Sequence, residues 1–262
     1  MKGFLTSPCP RAAGVVQCYI RRNKAGTAKL FPEYHVYLAD GDKFLMCSKR
    51  RPNNKTSNYI ISMRAGDLNR GSPNYLGKLR ANFIGTEFQI FDHGANPRDL
   101  LAGNFGHPEQ ARSELGVVLY ASNVLGSRGP RKMQVAIPKI REDGTPLALA
   151  KGTGAGAKGT MPEEDMMMHL KNHNCETLCY LINKPPRWND QVSAYVLNFN
   201  GRVTMASVKN FQLVTPDDHE TVVLQFGRVA KDEFTMDFQW PITPLQAFAI
   251  TLSSFDSKIA CD

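Results

Sequence analysis

Six cations, Lys43, Lys49, Arg50, Arg51, Lys55 and Arg64, fall between residues 43 and 66 without an Asp or Glu among them. Arg70 follows, then Lys78 and Arg80 in a strand-like run where alternation sets both side chains on one face. A third block, GSRGPRK, adds Arg128, Arg131 and Lys132 at a turn. Arginine offers a planar fork that holds phosphate bidentately, and lysine a mobile point charge. Converging from several strands, such groups can grip a compact polyphosphate. Strung along a groove they suit a nucleic-acid backbone. Dispersed, they are a solvated rim. Spacing alone leaves all three readings open. The net charge of +8 favours an anionic partner, whether nucleic acid, an acidic membrane surface or a phosphorylated ligand.

Other combinations carry less. Gly154, Gly156 and Gly159 match G-x-G-x-x-G, but Glu163, Glu164 and Asp165 stand where the following helix would begin, and they would repel a phosphate there. His169, His173, Cys175 and Cys179 suggest zinc, yet Cys175 and Cys179 lack the tight C-x2-C spacing of strong zinc sites. A surface helix end and a buried Cys179 are the expectation instead. There is no G-x-S-x-G elbow, H-E-x-x-H helix or nucleotide P-loop. These readings point to a binding protein rather than an enzyme, with neither metal nor cofactor. The six cysteines are scattered and MKGFLTSPCPRAAG has no apolar signal-peptide core, so reduced thiols are expected. The Asn54-Lys55-Thr56 glycosylation sequon is then a coincidence.

The elements that must position the cations are mostly short strands. Residues 15–20, 34–38 and 43–47 read as strands, the last two as a hairpin around Asp40-Gly41-Asp42. Further strands are expected over 58–63, 75–81, 86–92, 116–122, 132–138, 176–182, 193–199, 210–215, 221–227 and 233–239. Many short strands at close spacing indicate a sandwich or barrel. Two stretches break the pattern. The Gly/Ala-rich segment 142–161 reads as a flexible loop, followed by a short helix over about 162–171. Near the end, residues 238–255 carry no charge, but prolines, Gln246 and several hydroxyls interrupt them, which disfavours a membrane span. Thr243 suits an N-cap and Pro244 the first helical turn. A helix apolar on nearly every face must be surrounded, and among so many strands the fitting place is inside a closed sheet.

Several segments together carry a family resemblance. NVLGSRGPRKM (123–133), Trp188-Asn189-Asp190, SAYVLNFNGRVTMASVKNFQLV (193–214) and residues 222–262 are the most specific, with VQCYIRRNKAG and LNRGSPNYLGKLRANFIG supporting them. In these the chain resembles the C-terminal domain of Tubby-like proteins over nearly its whole length. The resemblance implies one domain over residues 1–262: a mainly β, twelve-stranded closed β-barrel with a central hydrophobic C-terminal α-helix over 244–256 and an N-terminal tail over 1–13. It implies a monomeric phosphoinositide-binding module, chiefly for phosphatidylinositol 4,5-bisphosphate. Such a module acts as a peripheral adaptor or membrane-tethered regulator at the cytoplasmic face of the plasma membrane, with the cytoplasm, nucleus and cilium as further locations. The site would use Lys49, Arg50, Arg51 and Arg80, with Lys78 as neighbour. Pro52 stands where the family pattern places a second phosphate-contacting cation, so either Arg51 or Lys55 substitutes or the headgroup is held differently. A protein cargo is a further expected partner. A nucleic-acid-binding transcription regulator is the alternative, although no recognised DNA-binding motif occurs.

Overall fold

The computed structural model describes residues 1–26, 30–52, 54–96, 111–121, 132–147, 166–174, 176–191 and 193–256. Its strands are β1 (Val16–Asn23), β2 (Glu33–Leu38), β3 (Lys43–Arg50), β4 (Asn58–Ser62), β5 (Tyr75–Ala81), β6 (Glu87–Asp92), β7 (Glu114–Tyr120), β8 (Met133–Pro138), β9 (Leu178–Asn183), β10 (Arg187–Asn189), β11 (Ala194–Val196), β12 (Phe211–Val214), β13 (Leu224–Ala230) and β14 (Glu233–Phe238). Twelve of them form a closed antiparallel barrel in which each strand pairs with its neighbour in sequence, save that β9 pairs with β12. The barrel closes where β1 meets β14, with Val16 opposite Phe238. Closure removes the exposed sheet edges that would otherwise invite aggregation.

Among the described residues the α-helices are α1 (Lys2–Thr6), α2 (Met166–Lys171) and α3 (Pro244–Ser254). Every residue of α3 is buried, and Leu245, Phe248, Ile250 and Leu252 belong to the same core as inward residues of the barrel such as Ile61, Leu79 and Ile90. A closed sheet of this size needs such a plug, because its inward side chains would otherwise face a void. The helix starts on a capping box: Thr243 Oγ1 accepts from the Gln246 backbone N–H at 3.0 Å, and Gln246 Oε1 accepts from the Thr243 N–H at 2.9 Å. Both donors lie in a buried helix end, where an unpaired N–H is costly. Thr243→Ala is expected to destabilise the protein by about 1–2 kcal/mol, read from the chemical-denaturation midpoint at unchanged slope.

One expectation needs correction. Residues 193–199 do not enter the barrel. Their β11 pairs only with β10, Trp188 opposite Tyr195, in a separate two-stranded sheet. The sequence shows an apolar strand there but not which partner it takes. Within the expected N-terminal tail, residues 1–13, Leu5 and Cys9 are buried in the main core, which draws α1 against α3. The central helix ends at Ser254, where Phe255 caps it and packs among Tyr34, Phe226 and Phe234. On the outer wall, α2 buries Met166, Met167 and Leu170 against Val117, Ala136 and Leu178. The remainder of the expected 162–171 helix, and residues 148–161 with the Gly154–Gly159 run, lie outside the described residues. Among the described residues, no helix is long and apolar enough to cross a membrane.

Candidate functional site: a cationic clamp on the barrel wall

Register decides which cations meet. Across β3, β4 and β5, Lys49 pairs with Ile60 and Ile60 with Lys78. The next outward row begins beyond the end of β3, where the Arg51 N–H donates to Asn58 O at 2.8 Å, and Asn58 pairs with Arg80. Lys49, Arg51, Lys78 and Arg80 are therefore four corners straddling β4 on the outer wall. Strand geometry makes that frame about 10 Å across the strands and about 7 Å along them. Asn58, between Arg51 and Arg80, has a buried Oδ1 with no hydrogen-bond partner among the described residues.

Arg50 lies in a different row. It pairs with Tyr59, and Tyr59 with Leu79, both of them core residues facing α3. Its charge bears on the phenols of Tyr34 and Tyr59 at the barrel's end. Tyr59 donates from its buried hydroxyl to Asp256 at 3.2 Å. Alternation thus separates Arg50 from its two chain neighbours.

Lys78 is the centre of the clamp. It projects outward yet is only 5% exposed. Burial, followed by the charges of Arg112, Arg70, Arg80 and Arg51, pulls its pKa down from 10.5 to about 8. Its Nζ lies 5.4 Å from the centroid of the Phe91 ring, and the Arg112 guanidinium 4.4 Å from the same ring. Among the described residues, no carboxylate pairs with Lys78, Arg51 or Arg80. Lys49 is already engaged: Nζ meets Glu33 Oε1 at 3.0 Å. Burial works to raise the Glu33 pKa, but the hydrogen bond and charge of Lys49, with help from His35, outweigh it and hold that carboxyl below its ordinary value.

Arg70 and Arg112 complete the clamp. Arg70 comes from the β4–β5 loop, where its charge acts on the Tyr75 phenol, which burial nonetheless keeps above its ordinary pKa. Arg112 enters just before β7, where its N–H donates to Ala95 O at 2.8 Å. A Cβ on Gly94 would collide with the Arg112 backbone, so only glycine there permits the approach. Nothing in the spacing of Arg112 singles it out in the sequence. Arg128 and Arg131, from the third basic block, lie outside the described residues. Pro52 is exposed in the turn after Arg51, and its carbonyl accepts from Asn54 Nδ2 at 3.4 Å.

Two other places were candidates for chemistry. A cavity of about 830 Å3 lies against β12–β14, with Arg202, Gln212, Gln225 and Asp237 in its wall. Its cations are neutralised: Arg202 forks onto Asp237 at 2.8 and 2.6 Å, and Arg187 pairs with Glu220. It therefore lacks the clamp's pull on an anion. Among the described residues the cysteines are no better placed for nucleophilic work. Burial pushes Cys9 and Cys179 up to about 11 and Cys18 and Cys47 to about 12, far from a thiolate at neutral pH. Among the described residues no three His, Cys, Asp or Glu side chains gather as a metal set, and Cys175 lies outside them.

The chain also matches a known family: the model described as the Tub family covers residues 5–257. The chain belongs to the Tub family. It is 43% identical to Tubby-related protein 1 of Mus musculus over 261 residues, which is 99% of this chain and 46% of that protein. Tubby-related protein 2 of the same species is 46% identical over 266 residues, 99% of this chain and 45% of its own length. Protein king tubby of Drosophila virilis is 42% identical over 264 residues, 99% of this chain and 54% of its own. The chain thus spans about half the length of the curated relatives it matches.

Proposed function

We propose that this Tub-family chain is a non-enzymatic phosphoinositide-binding module that docks on the cytoplasmic face of the plasma membrane, with phosphatidylinositol 4,5-bisphosphate as its preferred lipid. The observation that carries the reading is Lys78: a nearly buried ammonium on the outer wall, crowded by Arg51, Arg70, Arg80 and Arg112, with no carboxylate among the described residues to neutralise it. Cations held together in this way repel one another, and a multivalent anion relieves them. Two ring phosphates of one inositol fit a frame of this size better than the extended backbone of a nucleic acid, which needs a long groove of charge. Arg80 and Arg51 offer planar forks from either side of Asn58, and Lys78, two residues before Arg80 on the same strand, adds a point charge. The wider positive surface adds attraction to acidic lipid of about 1 kcal/mol per nearby cation, and salt weakens it.

Vesicle sedimentation tests the reading. Vesicles with phosphatidylinositol 4,5-bisphosphate should retain the protein at about 0.15 M salt, where phosphatidylserine vesicles of equal charge release it. Arg80→Ala should abolish the difference between the two. Equal retention on both vesicle types would leave only nonspecific charge attraction. Retardation of duplex DNA at the same salt, with no lipid preference, would favour the nucleic-acid alternative.

A further inference from the structure

We infer that the β5–β6 hairpin tip, Phe83-Ile84, is a wedge that enters the lipid layer when the clamp holds a headgroup. This inference rests on the phosphoinositide reading and extends it from headgroup to bilayer.

Phe83 is 72% exposed and Ile84 69%; among the described residues they are the only sequence-adjacent pair of large apolar side chains so exposed. Single exposed apolar residues are ordinary, but a pair at the summit of a turn is a concentrated apolar surface. The turn is held firmly. Asn82 Oδ1 accepts three backbone N–H groups, from Gly85 at 2.7 Å, Thr86 at 3.0 Å and Glu87 at 3.3 Å. Gly85, at φ +87°, supplies the left-handed conformation that lets the chain double back. The tip is thus a preformed projection, and inserting it costs little ordering.

Its place beside the clamp is fixed by the ladder. Arg80 is the third residue before Phe83 on the same hairpin, and the Ala81 N–H donates to Ser57 O at 2.8 Å, tying this end of β5 to the turn that follows Arg51. Residues 82–86 carry no charge. Glu87, the first carboxylate after them, is neutralised by Lys171 at 2.7 Å. Cations at the base with an uncharged apolar summit form the profile that an acidic bilayer fits: phosphates at the base, acyl chains around the summit. Three residues of extended chain reach about 10 Å at most, which agrees with the roughly 5–10 Å depth of interfacial anchors. A protein partner with an apolar pocket would not require the neighbouring cations.

The experiment compares a soluble inositol bisphosphate headgroup with vesicles containing phosphatidylinositol 4,5-bisphosphate in phosphatidylcholine. For Phe83→Ser/Ile84→Ser, headgroup affinity by calorimetry should stay within about twofold of the parent, while vesicle partition falls about tenfold or more. A second variant, Phe83→Trp, should gain fluorescence that brominated acyl chains quench only when the bisphosphate lipid is present. Unchanged vesicle partition of the double variant, or added fluorescence that brominated lipid leaves untouched, would overturn the wedge while leaving the headgroup reading standing. A parent protein that binds neither headgroup nor vesicles would overturn the headgroup reading first, and the wedge with it.

Discussion

Lys78→Met should lower affinity for a soluble inositol bisphosphate by about 10- to 100-fold, the range expected when one charge-assisted hydrogen bond to a buried phosphate is lost. Methionine preserves the apolar stem, so the loss reports the ammonium and not a packing defect. The parent protein carries an independent signature of the same group. Unliganded, burial and the surrounding arginines set Lys78 at about 8. A phosphate seated on it raises that value again, so binding takes up protons near pH 8, and affinity should fall as pH climbs from 7 toward 10. The phosphates do not mimic this, since their second ionisation, near pH 6 for a lone monoester and higher beside a second phosphate, strengthens binding to cations as pH rises. Lys78→Arg should flatten the profile because a guanidinium stays charged throughout. Stability without ligand should move the other way. The folded pKa lies below the unfolded value, so the unfolded chain binds more protons between about pH 8 and 10.5, and stability rises with pH across that window. Calorimetry in two buffers of different ionisation enthalpy would count the protons. A flat affinity profile in the parent would remove Lys78 from the site.

The second large effect belongs to the barrel's interior. Phe248→Ala should destabilise the protein by about 3–5 kcal/mol, because the close-packed ring around α3 cannot collapse into the cavity. Phe248 is fully buried at the middle of the helix, within the core that both ends of the barrel share. For a chain of this length that corresponds to a fall in Tm of roughly 6–20 °C. Ile84→Ala, at a residue 69% exposed, should change stability by no more than about 0.5 kcal/mol. Scanning calorimetry of the two variants separates the plug from the surface. A Phe248→Ala protein that melts with the parent would mean that the sheet stands without its helix.

The two effects also mark how differently fold and site are written in the sequence. A strand that forms half a core must alternate, and a helix surrounded by strands must be apolar all round, so a sandwich or barrel and the nature of α3 were legible from short-range pattern, while the closed twelve-stranded barrel came with the family resemblance. Thr243 and Pro244 spelled out the helix start because capping is local chemistry, and the structure adds Gln246, which the sequence showed only as a polar interruption. Phase within a strand was legible too, and it set Lys78 and Arg80 on one face before any register was known. The cations of residues 49–51 could not be sorted in the same way, since three adjacent charges at a strand end show no phase of their own. Pairing with Tyr59 turned Arg50 toward the barrel's end, while Lys49 and Arg51 stayed on the outer wall. Arg112 was beyond reach altogether. It meets Lys78 through the β5–β6 and β6–β7 ladders and the close approach at Gly94, across more than 30 residues of chain. The same holds for β11, whose apolar pattern says strand but not partner, and for Leu5 and Cys9, whose burial depends on finding α3 already in place. By itself the sequence determined what each segment had to be, because secondary structure answers to neighbours a few residues away. Only the tertiary structure decided which charges share a space, because that depends on register between strands distant in the chain, and the environment that pulls Lys78 down toward neutrality exists only once those strands have closed.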